Sequence, residues 1–158
     1  ILGSGDISAG GDFTWSGLQN HNATVTGMSG TREVVIVFQN YRLNSSDYLE
    51  LRIGDSGGLE TSGYYSVGNV AFGGSTNTRS DAYSIGHCPS SARHGGIVHL
   101  LSRDGLTWSA KSMLLDPENT RQTGGGGWKT LSATLDRVQV LSTNSRSNSA
   151  GNWYAGWR

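Results

Sequence analysis

Glu33-Val34-Val35-Ile36-Val37-Phe38 and, shortly after, Tyr48-Leu49-Glu50-Leu51-Arg52-Ile53 decide the fold class of this chain. In the second stretch Leu49, Leu51 and Ile53 share one face of an extended backbone and Tyr48, Glu50 and Arg52 the other. That is the period of a half-buried strand. The first stretch is an unbroken apolar run, which suits a strand covered on both faces. Asn44-Ser45-Ser46-Asp47, between them, has turn chemistry, because these side chains hydrogen-bond nearby backbone groups. Residues 33 to 54 therefore read as an antiparallel hairpin.

Outward from this core the pattern repeats. Ile97-Val98-His99-Leu100-Leu101 leads through Asp104-Gly105 into Leu106-Thr107-Trp108-Ser109-Ala110, and Asp-Gly suits the positive φ angles of a tight hairpin turn. Leu131, Ala133 and Leu135 alternate on odd positions, Val138 and Val140 on even ones. The change at Asp136-Arg137 predicts a bulge or a passage from one sheet to another. Shorter strands are expected at 12–16, 23–26, 70–72, 83–85 and 152–157. The 24 glycines punctuate the chain too often for helices, each costing about 1 kcal/mol relative to alanine inside one. Eight to ten short strands with frequent turns predict an all-β, single-domain antiparallel β-sandwich, jelly-roll-like, over residues 11–158. Residues 1–10 read as an N-terminal linker or entry segment. The abrupt start at Ile1 suggests a processed chain or a fragment. Two long loops are expected, Gly57 to Arg79 and Asp116 to Gly127, the second ending in Gly124-Gly125-Gly126-Gly127.

Composition narrows the function classes. Among 158 residues, 12 basic and 12 acidic side chains cancel, which removes the electrostatic footprint of a general nucleic-acid binder. No apolar run reaches the roughly 18 residues of a spanning helix, so no membrane insertion is expected. A single cysteine, Cys88, leaves no internal disulfide framework.

Gly54-Asp55-Ser56-Gly57-Gly58 matches the nucleophile segment of trypsin-like serine proteases. Those enzymes place a histidine and an aspartate, in that order, before the serine. Here only His21 precedes Ser56 among the histidines, in the unrelated context Gln19-Asn20-His21-Asn22. The segment reads instead as a glycine-rich turn. Cys88 with His87, His94 and His99 has the donor types of a metal or thiol site, but Gly86-His87-Cys88-Pro89 reads as a turn and His99 as part of an apolar strand. Asp116-Pro117-Glu118-Asn119 is oxygen-rich without the spaced ligand ladder of a calcium loop. Gly124-Gly127 before Trp128-Lys129-Thr130 lacks P-loop spacing. No catalytic residue, cofactor or metal is assigned.

The aromatics are more informative. Trp15, Trp108, Trp153 and Trp157 fall in expected strands, where packing is their default role. Tyr64, Tyr65 and Trp128 fall in loop-like sequence. Exposed rings beside planar polar groups suit saccharides, whose apolar faces stack on rings while their hydroxyls take hydrogen bonds. Tyr64, Tyr65, Arg79, Asp116, Asn119, Arg121 and Trp128 are the candidate ligand-binding residues.

Arg32-Glu33-Val34-Val35-Ile36-Val37-Phe38, followed by Asp47 through Gly54-Asp55-Ser56-Gly57-Gly58-Leu59-Glu60-Thr61-Ser62-Gly63-Tyr64, resembles a recurring block in tail-fibre and other virion-associated proteins of tailed bacteriophages and prophages. Gly96-Ile97-Val98-His99-Leu100 with Trp108, and Leu131 through Val140 with Ala150-Gly151-Asn152, fit the same pattern. The closing Asn152-Trp153-Tyr154-Ala155-Gly156-Trp157-Arg158 departs from that family's acidic last strand. The resemblance implies a jelly-roll-like sandwich on the virion, commonly a homotrimer, that contacts a host cell-surface glycan or outer-membrane protein. It supplies no catalytic residues, and it makes Gly-Asp-Ser-Gly-Gly a β-turn. The leading expectation is a non-enzymatic receptor-binding domain of a tail fibre. A capsid-decorating or fibre-assembly module and a glycan-degrading enzyme are the alternatives.

Overall fold

The computed structural model describes residues 12–69 and 76–158, and these are all-β. The strands are β1 (Thr14–Trp15), β2 (Thr24–Thr26), β3 (Glu33–Leu43), β4 (Asp47–Asp55), β5 (Gly58–Leu59), β6 (Tyr64–Asn69), β7 (Thr76–Arg79), β8 (Tyr83–Cys88), β9 (His94–Ser102), β10 (Thr107–Asp116), β11 (Arg121–Thr130), β12 (Arg137–Ser142) and β13 (Asn148–Trp157). One sheet has the order β1-β13-β3-β9-β10-β11-β6-β7. The other has β2-β12-β4, with β5 and β8 sharing the far edge of β4. All pairings are antiparallel, and the sheets pack face to face as a single-domain β-sandwich. The expected linker at 1–10 and strand at 70–72 lie outside the described residues.

The core forms where the period-two patterns of the two sheets meet. Val34, Ile36 and Phe38 from β3, Val98 and Leu100 from β9, and Trp108 and Leu114 from β10 face Leu49, Leu51 and Ile53 from β4 and Val138 and Val140 from β12. Residues 33–54 are nonetheless not a hairpin. β3 pairs with β9 and β13, β4 pairs with β12, β8 and β5, and the chain between them crosses from one sheet to the other. Turn chemistry at 44–47 serves an arch as well as a hairpin. Asp47 fixes the arch by accepting from Tyr48 N (2.9 Å) and from Asn144 N (2.7 Å) and Nδ2 (2.9 Å) in the distant β12–β13 turn.

The 97–110 segment is a hairpin, as its sequence predicts, with Gly105 at φ +81°. The two expected loops are largely strand. Residues 57–79 contain β5, β6 and β7, and the tetraglycine tract lies inside β11, paired on both sides. A Cβ at Gly126 would sit 2.1 Å from Ala110 O and one at Gly127 1.9 Å from Tyr65 O, at φ +153° and +155°. Only glycine fits this backbone. Side-chain hydroxyls bridge the sheets here: Ser66 Oγ accepts from Ser84 N (2.7 Å), and Ser112 Oγ donates to Ile85 O (2.6 Å). The parity change near Asp136 marks an irregular crossing between β11 and β12, in which Leu131 and Leu135 are buried and Ala133 is exposed. The strand β8 runs on through Cys88, so the turn expected there begins at Pro89.

Candidate functional site

The unbroken apolar run of β3 predicts cover on both faces. The structure covers one. Val35 and Val37, on the outer face of the eight-stranded sheet, are only half-buried, and the neighbouring strands continue the same face with Ile97, Leu101, Met113 and Leu115, each 45–50% exposed. Trp128, Tyr65 and Val67 extend it onto β11 and β6. A contiguous apolar surface of this kind marks a place of contact.

Register arranges this face in rows. Val37, Ile97, Met113, Gly124 and Asn69 form one row across five strands; Val35, His99, Lys111, Gly126 and Val67 form the next; Glu33, Leu101, Ser109, Trp128 and Tyr65 form the third. Gly124 and Gly126 contribute no side chains, so a trough of about 840 Å³ opens along β11 between Met113 and Lys111 on one bank and Val67 and Asn69 on the other. A second, more apolar depression of about 530 Å³ lies over Ile97, Leu101, Met113 and Leu115. The Trp128 and Tyr65 rings stand in the next row beyond Gly126 and Val67. They stack with centroids 5.1 Å apart and planes 10° from parallel, and remain 54% and 63% exposed. At the β13 edge Trp15 lies over Gly156 and meets Tyr154 edge-on, so it is exposed and not a core residue, whereas Trp108 and Trp153 are fully buried.

The seven residues singled out by sequence do not converge. Tyr65 and Trp128 meet. Tyr64 is buried: its hydroxyl donates to Ile53 O (3.0 Å) and accepts from Ile53 N (2.9 Å), and its ring meets Tyr83 edge-on. Arg79 lies 2.9 Å from both Glu50 Oε1 and Asp81 Oδ2, holding a fully buried carboxylate whose pKa is raised by desolvation. Asp116 is fully buried and accepts from Asn119 N and Nδ2, both at 3.0 Å. Asn119 and Arg121 lie at the β10–β11 turn, about 23 Å along the strand from Trp128 at roughly 3.3 Å per residue. The loop-like composition of 57–79 and 116–127 hid strands whose alternate residues point inward. Val67 and Asn69 are hidden for the same reason, whereas Lys111 continues the strand expected at 106–110. The alternation in Lys111-Ser112-Met113-Leu114-Leu115 is the signal that places Lys111 on the outer face.

The protease-like segment is a turn between β4 and β5. Asp55 Oδ1 accepts from Gly57 N (2.7 Å) and Oδ2 from Ser132 Oγ (2.7 Å), while Arg137 donates to Ser56 O (2.9 Å). Among the described residues no histidine hydrogen-bonds to Ser56. Glu60, further along the block, pairs with the buried Lys129 and accepts from Ser132 N (2.7 Å), and it shares the single Ser132 hydroxyl proton (Oγ at 2.8 Å) with Asp55. Burial raises the Glu60 pKa, but these bonds outweigh it and hold the carboxyl below its ordinary value.

Cys88 Sγ lies 3.5 Å from His94 Nδ1, and His94 Nε2 lies 3.9 Å from Asp116 Oδ2, an order found in thiol nucleophile sites. All three are in the interior. Burial pushes the thiol up to about 11 and holds His94 below its ordinary value despite Asp116, so the thiolate is suppressed. His99 is on the outer face, 2.7 Å from Glu33, so the histidines do not gather around Cys88. The chain matches no protein-family model, and no curated protein is significantly similar to it.

Proposed function

We propose that this chain is a receptor-binding domain of a bacteriophage tail fibre that grips a host-surface saccharide on the outer face of its eight-stranded sheet. The observation that carries the reading is the exposed Tyr65–Trp128 stack one row beyond a glycine-floored trough. Ring faces take the apolar face of a pyranose, and Asn69 and Gln122 along the trough supply planar groups for its hydroxyls. The tail-fibre assignment rests on the resemblance of the Arg32–Tyr64 block. Avidity from several copies, as in a trimer, would raise the weak affinity of one shallow site. The test is adsorption of purified protein to bacterial cells: Trp128→Ala and Tyr65→Ala should each abolish it, and undiminished adsorption by both contradicts the reading.

A second reading is favoured by the depression over Ile97, Leu101, Met113 and Leu115, whose composition suits a subunit contact in a fibre-assembly module. Light scattering separates the two. A stable oligomer dissolved by Met113→Asp, with no cell adsorption by the wild type, supports assembly alone.

A further inference from the structure

The trough and the apolar depression meet at one ridge on β10, and Lys111 stands on it. Its backbone pairs with His99 on one side and Gly126 on the other. The side chain is exposed, and among the described residues no carboxylate lies within ion-pair distance of its ammonium. Glu33 is the one acid that register places on the outer face of β3, β9, β10, β11 and β6. It is already matched twice, by His99 Nε2 at 2.7 Å and Arg158 Nε at 2.6 Å. The face therefore presents one unmatched cation at its centre, in a molecule of zero formal net charge.

Position gives that charge a use. Lys111 opposes Gly126 and Ser109 opposes Trp128, so Lys111 and Trp128 are diagonal neighbours, roughly 7–8 Å apart across the sheet. A pyranose stacked on the Trp128 ring spans much of that distance. A carboxylate on its rim would reach the ammonium over the trough, where Gly124 and Gly126 leave the space open. An ammonium on a flexible stem suits a carboxylate approaching from several directions, and apolar walls strengthen the contact by limiting its hydration.

The geometry points to an acidic saccharide, one carrying uronic or sialic acid residues, as the ligand of this face, with Lys111 as the residue that selects the carboxylate. This rests on the saccharide-binding reading above and goes beyond it by naming the ligand class.

The experiment is calorimetric titration of the intact protein with a panel of bacterial surface polysaccharides, acidic and neutral. Each acidic member is also supplied with its carboxyl groups reduced to alcohols. The expected result is binding to acidic members that weakens about tenfold on carboxyl reduction, the loss of one charge-assisted hydrogen bond. Lys111→Met should lower affinity for the acidic form by the same factor and so lose the preference for it over the reduced form, while Lys111→Arg keeps the preference. Affinity of the wild type for the acidic form should also fall with added salt. Equal affinity for acidic and reduced forms, or an unchanged preference in Lys111→Met, overturns the inference and leaves saccharide binding standing. Binding to no member of the panel overturns saccharide binding and the inference with it.

Discussion

Trp128 on β11 and Tyr65 on β6 are directly opposed in the sheet register, and their rings stack 5.1 Å apart on its outer face. Both are more than half exposed, so the stack adds little to the core. Cross-strand aromatic pairs contribute roughly 0.2–1 kcal/mol. Trp128→Ala should therefore shift the urea midpoint only slightly while removing cell adsorption. Loss of stability in step with loss of binding would make the pair structural.

The glycine floor of the trough is predicted to be far less tolerant. At Gly126 a Cβ would press on Ala110 O from a backbone that side chains rarely adopt. Gly126→Ala should cost about 3 kcal/mol or prevent folding. Gly17 has nothing within 4 Å of the same added atom, and Gly17→Ala should stay within about 0.5 kcal/mol of the parent. Denaturant melts of the two variants check the contrast.

Glu60 and the buried Lys129 form the ion pair that ties the β5–β6 connection to β11. Removing one partner leaves a buried charge unmatched, so Glu60→Ala is expected to destabilise by about 3 kcal/mol. Replacing both, as Glu60→Ala with Lys129→Met, should recover part of that loss. A double-mutant cycle in urea measures it, and a double variant less stable than Glu60→Ala contradicts the account.

How much of this was legible in the sequence depended on what each signal encodes. Leu49, Leu51 and Ile53 alternate because one face is buried, and that face reappears in the core. The same alternation is silent about which strand lies alongside, so 33–54 resembled a hairpin when it is an arch between sheets. Gly124 to Gly127 looked like a loop because glycine opposes both helix and strand locally. Its place in a strand is imposed by the main chains of β10 and β6, which leave no room for side chains. Tyr65 and Trp128 were visible as aromatics in polar company, but their pairing depends on the β6–β11 register. Tyr64, next door, points the opposite way into the core, as strand period requires.

His21 contributes to the acid sensitivity of the fold, alongside His87 and His94, whose pKa values burial also lowers. His21 Nδ1 lies 2.5 Å from Tyr41 Oη and its Nε2 3.2 Å from Ser142 Oγ, which itself accepts from Arg146 N. The neutral ring satisfies both partners. Burial lowers its pKa from 6.5 to about 4, against a smaller opposing pull from Asp47. Unfolding therefore takes up a proton between pH 6.5 and 4. This contribution is complete above pH 6.5 and is lost as pH falls toward 4, by on the order of 3 kcal/mol. Urea melts across that range should show the decline, and His21→Gln should make it shallower. An equal slope in the variant would assign the sensitivity elsewhere.

The most direct test of saccharide recognition is calorimetric titration of the intact protein and of Tyr65→Ala/Trp128→Ala with polysaccharide released from bacteria to which the protein adsorbs. Saturable binding by the wild type, weakened at least about tenfold in a double variant that unfolds at nearly the same urea concentration, is the predicted result. Equal affinity in the two proteins would contradict it.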